Sequence, residues 1–84
     1  MAVMNDVRDI LGNTLQLGPR KEMLSQESPL LGSIPELDSM AVVNLIAALE
    51  EHFGFVVHDD EISAEVFATL GSLTAFVEGK LQDR

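Results

Sequence analysis

The stretch Glu36-Leu37-Asp38-Ser39-Met40 joins a loop rich in proline and serine to the most strongly patterned helix of the sequence, predicted from about Ser39 to Phe53. Asp38 has the chemistry of a helix N-cap, because its carboxylate can accept a backbone N–H group that the first turn leaves without a partner. Ser39 then falls on the first turn, at a loop-to-helix junction. From this stretch alone, a polar residue at a helix start is the simpler interpretation of Ser39.

Helical periodicity also marks both ends of the chain. Apolar residues with the spacing of one helix face predict a first helix from about Ala2 to Leu17, ended by Gly18-Pro19. A short helix is predicted over residues 64–67. A last helix is predicted from about Leu70 to Leu81, and within it Gly71 should cost up to about 1 kcal/mol relative to alanine. Thr69 is the expected N-cap of this last helix.

A segment of almost twenty residues, Arg20 to Asp38, separates the first two predicted helices. Loops of that length are uncommon in compact domains. Apolar side chains along the segment indicate that it packs over the core: Leu24, Leu30, Leu31, Ile34 and Leu37. The sequence therefore predicts an all-α fold, with residues 1–84 forming a single domain: a helical bundle with three main helices, one short helix and a long first loop.

The predicted second helix has two largely apolar flanks. We assign one flank to the core: Val42, Leu45, Ile46, Leu49 and Phe53. The opposite flank carries Met40, Val43, Asn44, Ala47, Ala48 and Glu51, with Glu50 at its edge. A solvated helix face is normally far more polar, so we interpret this flank as a docking surface for a protein partner. The alternative is that another element of the same domain covers it.

The charge of the chain limits its partners. Fourteen acidic residues outnumber five basic ones, which gives a formal net charge of −9. All the acids except Asp6, Asp9 and Asp83 lie between Lys21 and Lys80, an interval without lysine or arginine. Such a chain repels nucleic acid and anionic membranes and favours basic protein surfaces. The alternative is that the acidity only maintains solubility.

Other classes of protein are also disfavoured. No stretch approaches the roughly 20 apolar residues of a membrane span, and the N-terminus lacks a signal pattern, so we expect a cytoplasmic protein. Ser39 has no His–Asp pair at a suggestive spacing, and no Gly-rich phosphate loop is present. His52 and His58 lie near carboxylates, but nothing supplies four-ligand metal geometry. We therefore expect neither an enzyme nor a metal site.

The junction at Ser39 offers a place to attach a group. A phosphodiester formed on its hydroxyl would lie near unpaired N–H groups at the positive end of the helix dipole. The chain has no cysteine, so any thiol chemistry would have to come from an attached group. A hydroxyl group for attachment, a docking surface and a strongly negative charge together favour a carrier protein.

These features resemble the acyl carrier proteins over nearly the whole chain. Asp38-Ser39-Met40 is similar to the family's Asp-Ser-Leu, and it is followed by Ala48-Leu49-Glu50-Glu51-His52-Phe53-Gly54. The acidic stretch Asp59-Asp60-Glu61-Ile62-Ser63-Ala64-Glu65 and the following Phe67-Ala68-Thr69-Leu70-Gly71-Ser72-Leu73 fit the family's third and fourth helices. The tripeptide alone is a weak signal, whereas the set in this order and spacing is specific.

The resemblance implies a four-helix bundle with a 4′-phosphopantetheine arm, derived from coenzyme A, esterified to Ser39 by a phosphopantetheinyl transferase that recognises Asp38. The arm would hold an acyl group as a thioester for acyl-loading and acyl-transfer enzymes with basic docking surfaces. The expected partner-binding residues are Met40, Val43, Asn44, Ala47, Glu50 and Glu51. Of these, Asn44 is included because it lies on the docking flank. The expected acyl groove is lined by Ile46, Ile62, Ala64 and Phe67. A monomer is expected.

The chain also departs from the family pattern. Glu36 stands where the family usually has glycine, and Ala41 and Asn44 stand where housekeeping fatty-acid carriers have acidic residues. We therefore expect a specialised pathway, and Pro35-Glu36-Leu37-Asp38-Ser39-Met40 is similar to carriers associated with bacterial exosortase and exopolysaccharide loci. The alternatives are a peptidyl carrier and an unmodified acidic helical module that binds proteins.

Overall fold

Three long helices dominate the computed structural model, which describes residues 2–82. They are α1 (Ala2–Thr14), α2 (Ser39–Phe53) and α3 (Leu70–Gln82). Two short 3-10 helices lie in the connections, at Gly18–Met23 and Asp59–Glu61. The predicted all-α fold is confirmed.

The core forms where α1 packs against both α2 and α3. Each helix contributes the apolar side chains of one face, and the long loop contributes further apolar side chains. The fully buried side chains are Val7 and Leu11 from α1, Leu45 and Leu49 from α2, Leu70, Leu73 and Val77 from α3, and Leu30 from the loop. The core flank predicted for the second helix is therefore confirmed at Leu45 and Leu49.

The first helix ends earlier than the sequence predicts. Its last residue is Thr14, and Gln16 adopts the left-handed conformation (φ 56°) expected of the residue after a helix end. The Leu17 N–H group donates to the carbonyl of Gly12 at 2.9 Å, which closes the terminal turn. This early ending turns Leu17 into the core, where it is 5% exposed. Gly18 therefore opens the first 3-10 helix and does not cap α1.

Backbone hydrogen bonds fasten the long loop to the start of α3. We call this contact, between residues 26–31 and residues 67–71, the loop clasp. Four bonds of 2.8–3.0 Å form it: Gly71 N–H to Gln26 O, Leu70 N–H to Ser28 O, Leu30 N–H to Ala68 O and Leu31 N–H to Phe67 O. Because the first N–H groups of a helix have no intrahelical partner, the loop carbonyls complete the N-terminus of α3.

Side chains complete the same helix start. Ser72 N–H donates to Thr69 Oγ1 and Thr69 N–H donates to Ser72 Oγ, both at 3.0 Å, so the predicted cap is confirmed. Gly71 lies against the loop: a Cβ there would be 2.7 Å from Gln26 Cγ and 2.9 Å from Gln26 O. The glycine that helix propensity disfavours is therefore required by the close approach of the loop.

Two details of the sequence prediction differ in the structure. Residues 64–67, predicted as a short helix, form consecutive turns closed by i→i+3 bonds of 3.2–3.3 Å. A segment this short cannot propagate an α-helix, and the carbonyls of its end, Phe67 and Ala68, accept from the loop instead. Leu31, predicted to pack on the core, is 44% exposed, whereas its neighbour Leu30 in the same loop clasp takes the fully buried position.

An ion pair fixes the second 3-10 helix to α3. Lys80 Nζ donates to both carboxylate oxygens of Glu61 at 2.9 Å, and the His58 N–H group donates to Glu61 Oε1 at 2.8 Å. The His58 N–H bond and then the Lys80 ammonium lower the pKa of Glu61 below its ordinary value.

The two glycines of α3 provide a matched test of the loop clasp. Gly71→Ala should lower the free energy of unfolding, because the new Cβ collides with the backbone of Gln26. Gly79→Ala should raise it by up to about 1 kcal/mol, because nothing lies within 4 Å and alanine is the better helix former. Urea unfolding followed by circular dichroism measures both. Equal stabilisation by the two substitutions would contradict the clasp.

The Glu61 contacts predict a dependence of stability on pH. The folded-state pKa of Glu61 is lowered, so its contacts contribute to the free energy of unfolding. This contribution is complete above the ordinary carboxylate pKa and is lost as the pH falls through the folded-state pKa. Lys80→Met should raise the pKa of Glu61 but leave it below the ordinary carboxylate value, since the His58 N–H bond remains. Carboxyl NMR titration of both proteins measures this. A wild-type Glu61 pKa at or above the ordinary value would refute the assignment.

Candidate functional site

Asp38 caps α2 as the sequence predicts. Its backbone is extended (φ −110°, ψ −173°), and its side-chain Oδ1 accepts the Ala41 N–H group at 2.8 Å. Its carbonyl accepts the Val42 N–H group at 2.9 Å, which is the first intrahelical bond. The cap therefore sets the position at which α2 begins.

Ser39 is the first residue of α2 and is exposed. The next residue, Met40, is 69% exposed. At this end of a helix the backbone N–H groups point outward and the dipole is positive, which favours an anionic group. The junction thus presents an accessible hydroxyl in a setting suited to a phosphate ester.

The residues just before the cap hold the junction in place. Leu37 is 6% exposed and anchors the chain in the core, and its N–H group donates to the Ile34 carbonyl at 3.0 Å. Glu36 forms an ion pair with Arg20 of the first 3-10 helix. The hydrogen bond from the Arg20 guanidinium lowers the pKa of the Glu36 carboxyl. Glu36, the departure from the family's glycine, is therefore a link between the junction and the first 3-10 helix.

The predicted docking surface is an exposed strip of α2. Five of its predicted residues are exposed: Met40, Val43, Asn44, Ala47 and Glu51. Val43 is 62% exposed, so a large apolar side chain stands in solvent. Glu50 is different, because it is half-buried and its Oε2 accepts the Val57 N–H group at 2.7 Å. Its carboxylate holds the connection after α2 as well as bordering the strip.

A groove lies along one side of this strip. It has a volume of about 220 Å³ and is lined by Val43, Ile46, Ala47, Glu50, Val57 and Ile62. Of the predicted acyl-groove residues, the structure brings together Ile46 and Ile62. Ala64 is exposed and does not line the groove, whereas Phe67 is 3% exposed and belongs to the core.

The sequence prediction missed Val57 as a groove residue. Phe55 is 7% exposed, Val56 is 64% exposed and Val57 is partly buried. This alternation follows the two-residue period of an extended chain. The same pattern in Phe55-Val56-Val57 could have identified Val57 from the sequence.

A larger, open depression lies between α1 and α2, beyond the other side of the strip. Its volume is about 520 Å³, and Ala48, Glu51 and His52 form its α2 side. His52 Nε2 lies 3.7 Å from Asp6 Oδ2, which links the two helices. Its α2 residues lie two or more helical turns from Ser39, so its size does not make it part of the junction at Ser39.

Two features of residues 2–82 bear on other functions. No group of three or more His, Cys, Asp or Glu residues in this range could hold a metal ion. Among the helices described for the same residues, none is long and apolar enough to cross a membrane.

Comparisons with known proteins agree with the geometry. A family model described as the phosphopantetheine attachment site matches residues 3–77. The chain is 33% identical over 78 residues to an acyl carrier protein of Wolinella succinogenes, covering 93% of this chain and 96% of that protein. An acyl carrier protein of Campylobacter curvus is 35% identical over 78 residues, with 93% and 95% covered.

A solved structure is similar over almost the entire chain. The solution NMR structure of a holo acyl carrier protein from Nitrosomonas europaea has a TM-score of 0.90 and 63% identity, and the match covers 98% of this chain and 99% of that one. Together the comparisons confirm phosphopantetheine as the covalent cofactor and a carrier, not an enzyme, as the class of protein. The chain belongs to the phosphopantetheine-attachment family and, within it, to the acyl carrier proteins.

Proposed function

We propose that Ser39 carries the 4′-phosphopantetheine arm and that the chain presents an acyl thioester on this arm to partner enzymes. The observation that supports this most is the position of Ser39: it is exposed at the first residue of α2, immediately after the Asp38 cap. The hydroxyl is therefore accessible to a transferase, while its backbone is fixed by the helix.

The residues around Ser39 fit a phosphopantetheine arm. The positive end of the α2 dipole favours the negative charge of a phosphodiester. Leu37 anchors the other side of the junction in the core, so the base of the arm is held while the arm remains free to move. When attached, the arm supplies the thiol that forms the thioester, since the chain itself has no cysteine. Asp38 is the proposed recognition residue for the phosphopantetheinyl transferase.

The exposed strip of α2 is the proposed docking surface for acyl-loading and acyl-transfer enzymes. Met40 and Val43 supply exposed apolar contact area, and Glu51 supplies an exposed carboxylate for a basic partner surface. Asn44 and Ala47 lie between them. Glu50 contributes its negative charge, but its bond to the Val57 N–H group restrains the side chain.

The proposed setting is a specialised acyl pathway in the cytoplasm, with the carrier acting as a monomer. The first turns of α2 support the specialised pathway, because Ala41 and Asn44 leave them without the acidic residues of the housekeeping carriers. In the acyl groove, the proposed contacts with the acyl chain are Ile46 and Ile62. Both line the same groove, and Val57 lines it as well.

Attachment at Ser39 can be tested by mass spectrometry. Incubation of the apo protein with coenzyme A and a broad-specificity phosphopantetheinyl transferase should raise the intact mass by one arm. Ser39→Ala should abolish the gain, because no hydroxyl remains at the junction. Ser63→Ala, at another exposed serine, should leave it unchanged.

The same experiment has two outcomes against the proposal. A mass gain that persists in Ser39→Ala would place the arm on another residue. No gain with several transferases, in a protein whose circular dichroism shows the helical fold, would contradict attachment altogether.

A further inference from the structure

Two large apolar side chains stand in solvent near the start of the exposed strip of α2. Met40 is 69% exposed and Val43 is 62% exposed. They are three residues apart in α2, so they are neighbours on one face of the helix. Met40 also follows Ser39 directly, so an enzyme that reaches the Ser39 hydroxyl meets Met40. The pair therefore supplies apolar contact area beside the proposed attachment point.

Met40 differs from Val43 in its chemistry, because its thioether sulfur can be oxidised. Hydrogen peroxide transfers one oxygen atom to the sulfur: the sulfur lone pair forms the S–O bond, the O–O bond of the peroxide breaks, and water leaves. The sulfur loses two electrons, and the peroxide gains them. The product, methionine sulfoxide, is polar, and methionine sulfoxide reductases return it to methionine. Leucine, which the family has after its serine, contains no such atom.

Exposure decides which sulfur atoms of the chain a peroxide reaches first. The chain has four methionines and no cysteine, so before an arm is attached its only sulfur atoms are thioethers. Met4 is half-buried and packs against the core. Met23 is 82% exposed, but it lies in the first 3-10 helix, outside α2. Among residues 2–82, Met40 alone combines an exposed thioether with a place on the strip of α2.

We propose that Met40 is a reversible oxidation site through which hydrogen peroxide weakens the docking of partner enzymes. This inference rests on the proposed function, because it takes the strip of α2 as the docking surface. In the reduced protein, a partner that covers Met40 removes apolar surface from water. In the oxidised protein, the same contact buries an S=O group that has lost its hydrogen bonds to water, and such burial costs free energy.

Oxidation of Met40 leaves the fold unchanged. The cap of α2 joins the Asp38 carboxylate to the Ala41 N–H group, and the Met40 side chain takes no part in it. Met40 belongs neither to the core nor to the side chains packed against the core, whereas Met4 does pack there. A loss of docking that comes from Met40 is therefore separable from unfolding.

The test uses the apo protein, coenzyme A and a broad-specificity phosphopantetheinyl transferase. After treatment with hydrogen peroxide and removal of the peroxide, peptide mass spectrometry should show one added oxygen atom on Met40, and circular dichroism should be unchanged. The KM of the transferase for the treated protein should rise by about fivefold or more, the scale set by one unpaired buried polar group. Methionine sulfoxide reductases should return the KM to its untreated value.

Three variants assign the effect to one sulfur atom, and the first two are compared with themselves before and after peroxide. In Met40→Leu, peroxide should leave the KM unchanged, although Met23 is still oxidised. In Met23→Leu, peroxide should raise the KM as it does in the wild-type protein. Met40→Gln, which places a polar side chain at this position permanently, should have a higher KM than Met40→Leu without any peroxide.

Several results would overturn the inference. They are the absence of added oxygen on Met40, an unchanged KM in the oxidised wild-type protein, and an equal rise of the KM in peroxide-treated Met40→Leu. Equal KM values for Met40→Gln and Met40→Leu, or a rise that accompanies loss of the helical circular dichroism, also overturn it. Failure of the untreated protein to gain the arm counts against the proposed function instead.

Discussion

The backbone hydrogen bonds between the long loop and the first turn of α3 are the constraint on which the rest of the structure depends. A helix start leaves N–H groups without intrahelical partners, and here the loop carbonyls of Gln26 and Ser28 accept two of them. The same contact fixes the course of a loop that has little regular structure of its own. Leu30 and Leu37 can then enter the core on either side of the exposed Ser33.

This constraint also explains how so short a chain can hold the proposed attachment point in a fixed position. Leu37 is buried immediately before Asp38, and the Asp38 carboxylate caps α2, so Ser39 is placed by one anchor and one cap. Partner enzymes bind the docking strip and act on the thioester at the end of a mobile arm. The arm therefore has to start from a residue whose position relative to the strip is fixed. The fold supplies the base, and the strip beginning at Met40 supplies the docking surface that we propose.

Local features of the site could be predicted from the sequence, and non-local ones could not. The caps at Asp38 and Thr69 were predictable because each depends on the chemistry of one residue beside a helix end, and the structure confirms both. The end of α1 was misplaced, because Gln16 adopts a left-handed conformation that is far more typical of glycine. Glu50 was predicted only as a docking residue, since its bond to Val57 joins two segments whose proximity the periodicity does not reveal.

The most direct test of Ser39 as the attachment point is the mass of this protein isolated from its native host, with fragmentation to locate any modification. Our account predicts one phosphopantetheine arm per chain, on the peptide that contains Ser39 and on that residue. A protein recovered without the arm from growing cells, or with the arm on a different serine, would contradict it.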